Sequence, residues 1–213
     1  MPFARPCADA VGFDCSTKLT ATSARALAAM GFKFAIRYVG ISTNGPDDID
    51  ANETSIIMGE IGALWLVQHP RLPGWSPSTQ LGDMDAVAAV RNATAGNYEG
   101  GATLWTDLEG IKPGTSPQAV IDYANTFYSR AASEGFPQGV YDGYSEILTP
   151  DQLFHSLKTT AYWSDFETKA LPVRGFALKQ VCNSLTVLGV GFDIDIDLCH
   201  ADLLGDRPTW MAA

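Results

Sequence analysis

The sequence predicts an α/β fold, a single small (β/α)8 barrel of the TIM type, on three observations. Short β-rich runs alternate with helical stretches through the whole length, which points to a parallel sheet. Eight such runs can be counted, the number that closes a parallel barrel. No Gly-x-Gly-x-x-Gly turn follows the first run, so the open doubly wound sheet lacks its nucleotide-binding signature. With 213 residues the chain can bury one core of barrel size, and 1–213 is read as one domain.

The first run, Val11-Gly12-Phe13-Asp14, leads to a helix over 21–30, where Ala, Leu and Met recur at helical spacing and Gly31 supplies the stop. The second strand is Phe34-Ala35-Ile36-Arg37-Tyr38-Val39, followed by a polar loop around Asn44-Gly45-Pro46 and a weak helix over 50–61. Ala63-Leu64-Trp65-Leu66-Val67 is the third strand. Residues 69–77 hold too much Pro and Gly for a regular element, and so form a long loop expected to overhang the site. A helix over 84–95 precedes a fourth strand over 102–109. Ser116-Pro117 then starts a helix running to about 134, with Ser at the cap and Pro in the first turn. Strands five to eight are placed at 139–142, 160–163, 176–181 and 191–198. Only 144–157 reads as a clear helix among them, so helices in the second half are expected to be short or missing.

Composition narrows the function. A net charge of −10, with only 14 scattered Lys and Arg, argues against a nucleic-acid partner, which needs clustered cations. No apolar run approaches the ~18 residues that span a bilayer, and the first seven residues lack the apolar centre of a secretory signal. Cys7, Cys15, Cys182 and Cys199 have no metal-type spacing, and no metal or other cofactor is expected. They read either as small buried hydrophobes or, outside the cell, as including a disulfide between first and last strand ends such as Cys15 to Cys199.

The acids carry the chemistry. Side chains on a strand alternate between faces, so Trp105, Asp107 and Glu109 share one face while Leu104, Thr106 and Leu108 share the other. The leucines belong beneath the helices, which sends both acids to the barrel interior near the C-terminal strand end, where barrel enzymes work. Asp193, Asp195 and Asp197 alternate with aliphatic residues in the last strand, and Asp14 ends the first, its neighbour in a closed barrel. Acids crowded in poorly hydrated space repel one another, so some hold protons at neutral pH or bind a cation. Glycoside hydrolysis needs that asymmetry: one carboxylic acid to protonate the leaving oxygen, and one carboxylate to assist water, attack the sugar or steady positive charge. Structural alternatives stand beside it: helix caps, a solvated acidic edge, or a divalent-cation site.

Tyr38, Trp65, Tyr141, Tyr144, Tyr162 and Trp163 lie near strand ends, able to stack on sugars or to fill a core. Trp75, in the Pro-rich loop, is the better candidate for a ligand contact. His69, His155 and His200 have no partner spacing and read as structural or surface residues.

Taken together, Gly12-Phe13-Asp14, the run Thr103-Leu104-Trp105-Thr106-Asp107-Leu108-Glu109 and Asp195-Ile196-Asp197-Leu198 resemble the lysozymes of glycoside hydrolase family 25. They are closer still to a related bacterial glycoside-hydrolase-like barrel family of poorly known function. The resemblance covers nearly the whole chain, with 34–40, 139–145 and Gln180 falling on that family's second, fifth and seventh strands. It implies a muramidase, cutting between N-acetylmuramic acid and N-acetylglucosamine. Glu109 then matches the general acid, and Asp107 the partner that orients or stabilises the reacting centre. Asp14 matches the strand-one acid, and Asp197 the strand-eight acid, with Asp195 as a substitute. Gln180, Tyr38, Trp65, Trp75, Tyr141 and Trp163 are carried as substrate-binding candidates. One departure is Leu198-Cys199, where the lysozymes commonly have Leu-Asn; a second is the short second half of the barrel.

The function expected is therefore a peptidoglycan-cleaving hydrolase, acting as a monomer outside the cytoplasm after non-classical delivery. Peptidoglycan or a related glycan is the expected partner, with an immunity or delivery protein as a further candidate. Two other readings remain open: a catalytically decayed glycan-binding barrel, and a structural component of a phage-like or secretion particle.

Overall fold

In the computed structural model, which describes residues 2–143, 147–166 and 171–213, a short strand β1 (Phe3–Pro6) precedes the barrel. Eight strands then close it. They are β2 (Ala10–Cys15), β3 (Ala35–Val39), β4 (Ala63–Gln68), β5 (Leu104–Asp107), β6 (Gln138–Asp142), β7 (Ala161–Ser164), β8 (Leu178–Thr186) and β9 (Asp193–Cys199). Closure comes from the pairing of β4 with β5. A last strand, β10 (Thr209–Ala212), lies antiparallel to β1 and to the start of β4.

Strands β2 to β8 run parallel, as the alternation predicts, but β9 is antiparallel to both its neighbours, β2 and β8. The cause is the length of the connection. Residues 187–192 are too few for the crossover of a dozen or more residues that a parallel return requires, so the chain turns back as a hairpin. Neither β1 nor β10 was legible as a strand: each is four residues long, with Pro beside it.

Helices α1 (Ala21–Ala29), α2 (Ala51–Glu60), α3 (Thr79–Ala95), α4 (Pro117–Ser133) and α5 (Pro150–Ser156) cover the first part of the barrel. Thr20, Asp50, Ser78, Ser116 and Thr149 cap them, each side chain accepting a backbone N–H of the first turn. Ser78 explains why α3 starts ahead of the expected residue 84. Thr149 and Pro150 likewise start α5 after the expected 144, and residues 144–146, Tyr144 among them, lie outside those described. Gly31 follows α1 at φ +103°, in the left-handed region that glycine enters without strain.

The period-two pattern sorts the core into two layers. Leu66, Leu104, Val140 and Tyr162 face outward beneath the helices, whereas Phe34, Ile36, Trp65, Trp105, Trp163 and Leu178 fill the barrel. Small residues make room for the large ones: a Cβ on Gly139 would stand 2.2 Å from the Trp105 ring. A disulfide joins Cys7 to Cys199, in place of the expected Cys15 to Cys199, while Cys15 is buried as a free thiol. The antiparallel course of β9 accounts for this. It carries Cys199 to the level of Ala10, at the opposite end of β2 from Cys15.

Candidate active site

Each of the eight barrel strands contributes at least one side chain to a cavity of about 270 Å3 at the C-terminal ends of the parallel strands. In order from β2 to β9 they include Asp14, Tyr38, Val67, Asp107, Tyr141, Trp163, Gln180 and Asp195. Glu109 completes the acids from the turn after β5. The fourth strand thus ends at Asp107, two residues short of the expected 109, yet Glu109 still reaches the cavity. Its carboxyl occupies space that Gly143 leaves open, since a Cβ there would stand 2.3 Å from Glu109 Oε1. The Glu109 N–H donates to Asp107 Oδ1 at 2.7 Å, tying the two acids together.

On the far wall Gln180 organises the other carboxylates. Its Nε2 donates to Asp195 Oδ2 at 2.6 Å and, at 3.4 Å, to Asp14 Oδ2, and its Oε1 accepts from the Tyr141 hydroxyl at 3.1 Å. Asp195 also accepts the Ser184 N–H. Asp197 is fully buried one layer below, with Oδ1 accepting Trp163 Nε1–H at 2.9 Å. Its Oδ2 is buried without a hydrogen-bond partner, and Asp14 beside it helps to raise the pKa of Asp197.

Burial dominates the electrostatics. It pushes Asp14 from 3.8 up to about 7, with further upward contributions from Asp195 and Glu109. Asp107 is driven well above the usual carboxylate range by burial and then by the charge on Glu109, and Asp197 by burial and then by Asp14. The Tyr38 phenol is raised by burial and by Asp14, Asp107, Glu109 and Asp195, so it stays protonated and can donate a hydrogen bond. Among the described residues no group of three or more His, Cys, Asp or Glu side chains is arranged to hold a metal ion.

The sequence candidates divide accordingly. Asp14, Asp107, Glu109, Asp195, Tyr38, Tyr141, Trp163 and Gln180 converge on the cavity. Asp197 supports it from beneath. Trp65 does not reach it: the ring is buried in the barrel, and its Nε1–H donates to Thr209 O on β10, at the other end. Trp75 lies outside it too, half-buried with its indole N–H on Glu109 O, so residues 69–77 flank the cavity and do not overhang it. Tyr162 points outward under the helices.

Asp165, Phe166 and Asn183 line the rim and escaped sequence reasoning. Asp165 was findable, because it continues the alternation of Trp163 one step past β7. Asn183 was not. It lies within an irregularity in the β8–β9 register, between Cys182 and Leu185, that re-aims side chains in a way no simple periodicity encodes.

Solved structures share this architecture. The Tat-secreted protein Rv2525c of Mycobacterium tuberculosis, in complex with L-tartrate, superposes with a TM-score of 0.65 at 16% identity, over 92% of this chain and 98% of that one. The modular autolysin LytC of Streptococcus pneumoniae, in complex with a synthetic peptidoglycan ligand, gives 0.66 at 14% identity, over 90% of this chain and 47% of that one. A bacterial lysozyme from Streptomyces coelicolor gives 0.61 at 15%, over 91% and 93%. At such identities these likenesses speak to the fold alone. A search of curated protein sequences returns no match. The family profile described as "Rv2525c-like, glycoside hydrolase-like domain" matches residues 7–199, and this chain belongs to that family.

Proposed function

We propose that the protein is a peptidoglycan-cleaving glycoside hydrolase of the lysozyme type, with Glu109 as the acid that protonates the leaving glycosidic oxygen. The observation that carries this is the convergence of Asp14, Asp107, Glu109 and Asp195 on one cavity floored and walled by Tyr38, Tyr141 and Trp163. Glycosidases need carboxyl groups in different protonation states within reach of one sugar, and burial here keeps protons on some of the acids near neutral pH. Asp107, fixed through the Glu109 N–H, orients the substrate's acetamido group. Asp14 and Asp195 face the developing positive charge, Gln180 holds them in place, and Trp163 and Tyr141 offer faces for the sugar to stack on.

Structural neighbours point the same way: an autolysin with a peptidoglycan ligand, a spore cortex lytic enzyme and a phage endolysin. Action outside the cytoplasm fits the Tat-secreted neighbour and the Cys7–Cys199 disulfide, which persists in oxidising compartments. A decayed, purely glycan-binding site draws its support from Cys199 standing where the lysozymes commonly have Asn. That cysteine is disulfide-bonded away from the cavity lining, so its presence has a structural cause.

Wild-type protein is expected to clear a suspension of purified peptidoglycan, and Glu109→Gln to lose that activity by about a hundredfold or more with an unchanged melting temperature. Saccharide binding without clearance by the wild type would support the glycan-binding alternative.

A further inference from the structure

Glu109 lies on a turn, beyond the last ladder pairing of β5, so the sheet does not fix its backbone. Two side chains do. Asp107 Oδ1 accepts its N–H at 2.7 Å, and Trp75 Nε1–H donates to its carbonyl oxygen at 2.8 Å. Around that contact the segments holding Trp75 and Glu109 are laced together: Gly74 N–H donates to Gly110 O at 2.8 Å, and Lys112 N–H to Trp75 O at 2.8 Å. Gly110, at φ +69°, lets the chains approach so closely that a Cβ there would stand 3.3 Å from Pro73.

The indole is itself anchored. It meets the Tyr123 ring edge to face at 5.0 Å, and the Tyr123 hydroxyl donates to Asp85 Oδ2 at 2.8 Å. Asp85, on α3, also takes the Arg71 guanidinium, which belongs to the same loop as Trp75. A rigid path thus runs from two helices through one indole N–H to the backbone of Glu109, and Trp75 is absent from the cavity lining.

We infer that Trp75 is a positioning residue for Glu109, acting on the turn that carries the acid and not on the substrate. This role presupposes Glu109 as the proton donor. Small displacements of a catalytic group cost much of its rate, so loss of one such restraint should appear in kcat.

The test is Trp75→Phe, which keeps a ring against Tyr123 and removes the N–H. Expected are a fall in kcat of about tenfold or more on peptidoglycan with KM within about twofold, and faster amide exchange at Glu109 and Lys112 with the β4 amides unchanged. Should that variant not fold, the benzothiophene isostere of tryptophan at 75 removes the same donor with little change of shape. A rise in KM with kcat preserved would make Trp75 a ligand contact and overturn the inference. Unchanged kcat, or unchanged exchange at Glu109 and Lys112, would overturn it as well. If the wild type cuts nothing, the hydrolase assignment fails separately, and the exchange comparison still decides whether Trp75 holds the turn.

Discussion

Asp14 shows how one buried carboxyl links site and stability. Ordinarily near 3.8, it is pushed up to about 7 by burial first and by Asp195 next. Between about pH 4 and pH 7 the unfolded chain has released this proton while the folded chain retains it. The group's favourable contribution is therefore whole below about pH 4 and lost as pH rises to about 7. Asp14→Asn abolishes that titration, so the variant's stability relative to wild type should improve from pH 5 to pH 8, read as the difference in urea unfolding free energy. A pH-independent difference would refute the assignment. At this scale the acids were legible because alternation on a strand is geometric: a residue two positions from an interior tryptophan is interior as well. Trp75 stands outside the cavity lining, and nothing in a Pro-rich loop shows that its indole N–H reaches a carbonyl 34 positions away.

Arg37 is the corresponding case for whole elements. It stands on the outer face of β3, fully buried, and binds Glu53 of α2 at 2.7 Å, Asp47 O at 2.7 Å and Cys15 O at the end of β2. Glu53 also accepts the Leu19 N–H at 2.8 Å, so a single ion pair joins two strands, one helix and the loop before α1. Arg37→Met would leave Glu53 charged and uncompensated in the interior, and is expected to destabilise the fold by about 3–5 kcal/mol in urea titration. A cost near zero would contradict that role. The strands and capped helices of the first half were readable from period and caps. The direction of β9 was not, since period-two alternation is the same in parallel and antiparallel strands. Only the short connection before it held the answer.

Over the whole molecule, the Cys7–Cys199 disulfide ties the N-terminal segment to the strand that completes the barrel, across a sequence separation of 192 residues. Cys7→Ser is expected to lower stability by about 2–4 kcal/mol and to make it insensitive to dithiothreitol, whereas the wild type falls to the variant's level on reduction. Because Cys199 lies at the far end of β9 from Asp195, initial activity should survive that substitution at a temperature where both proteins are folded. The barrel brings acids from β2, β5, the turn after β5 and β9 to one end, where we propose that a glycan is cut. The direct measurement is mass spectrometry of borohydride-reduced fragments from purified peptidoglycan treated with wild type and with Glu109→Gln. New N-acetylmuramitol ends from the wild type alone are expected; intact glycan from both proteins, or equal release by both, would contradict the account.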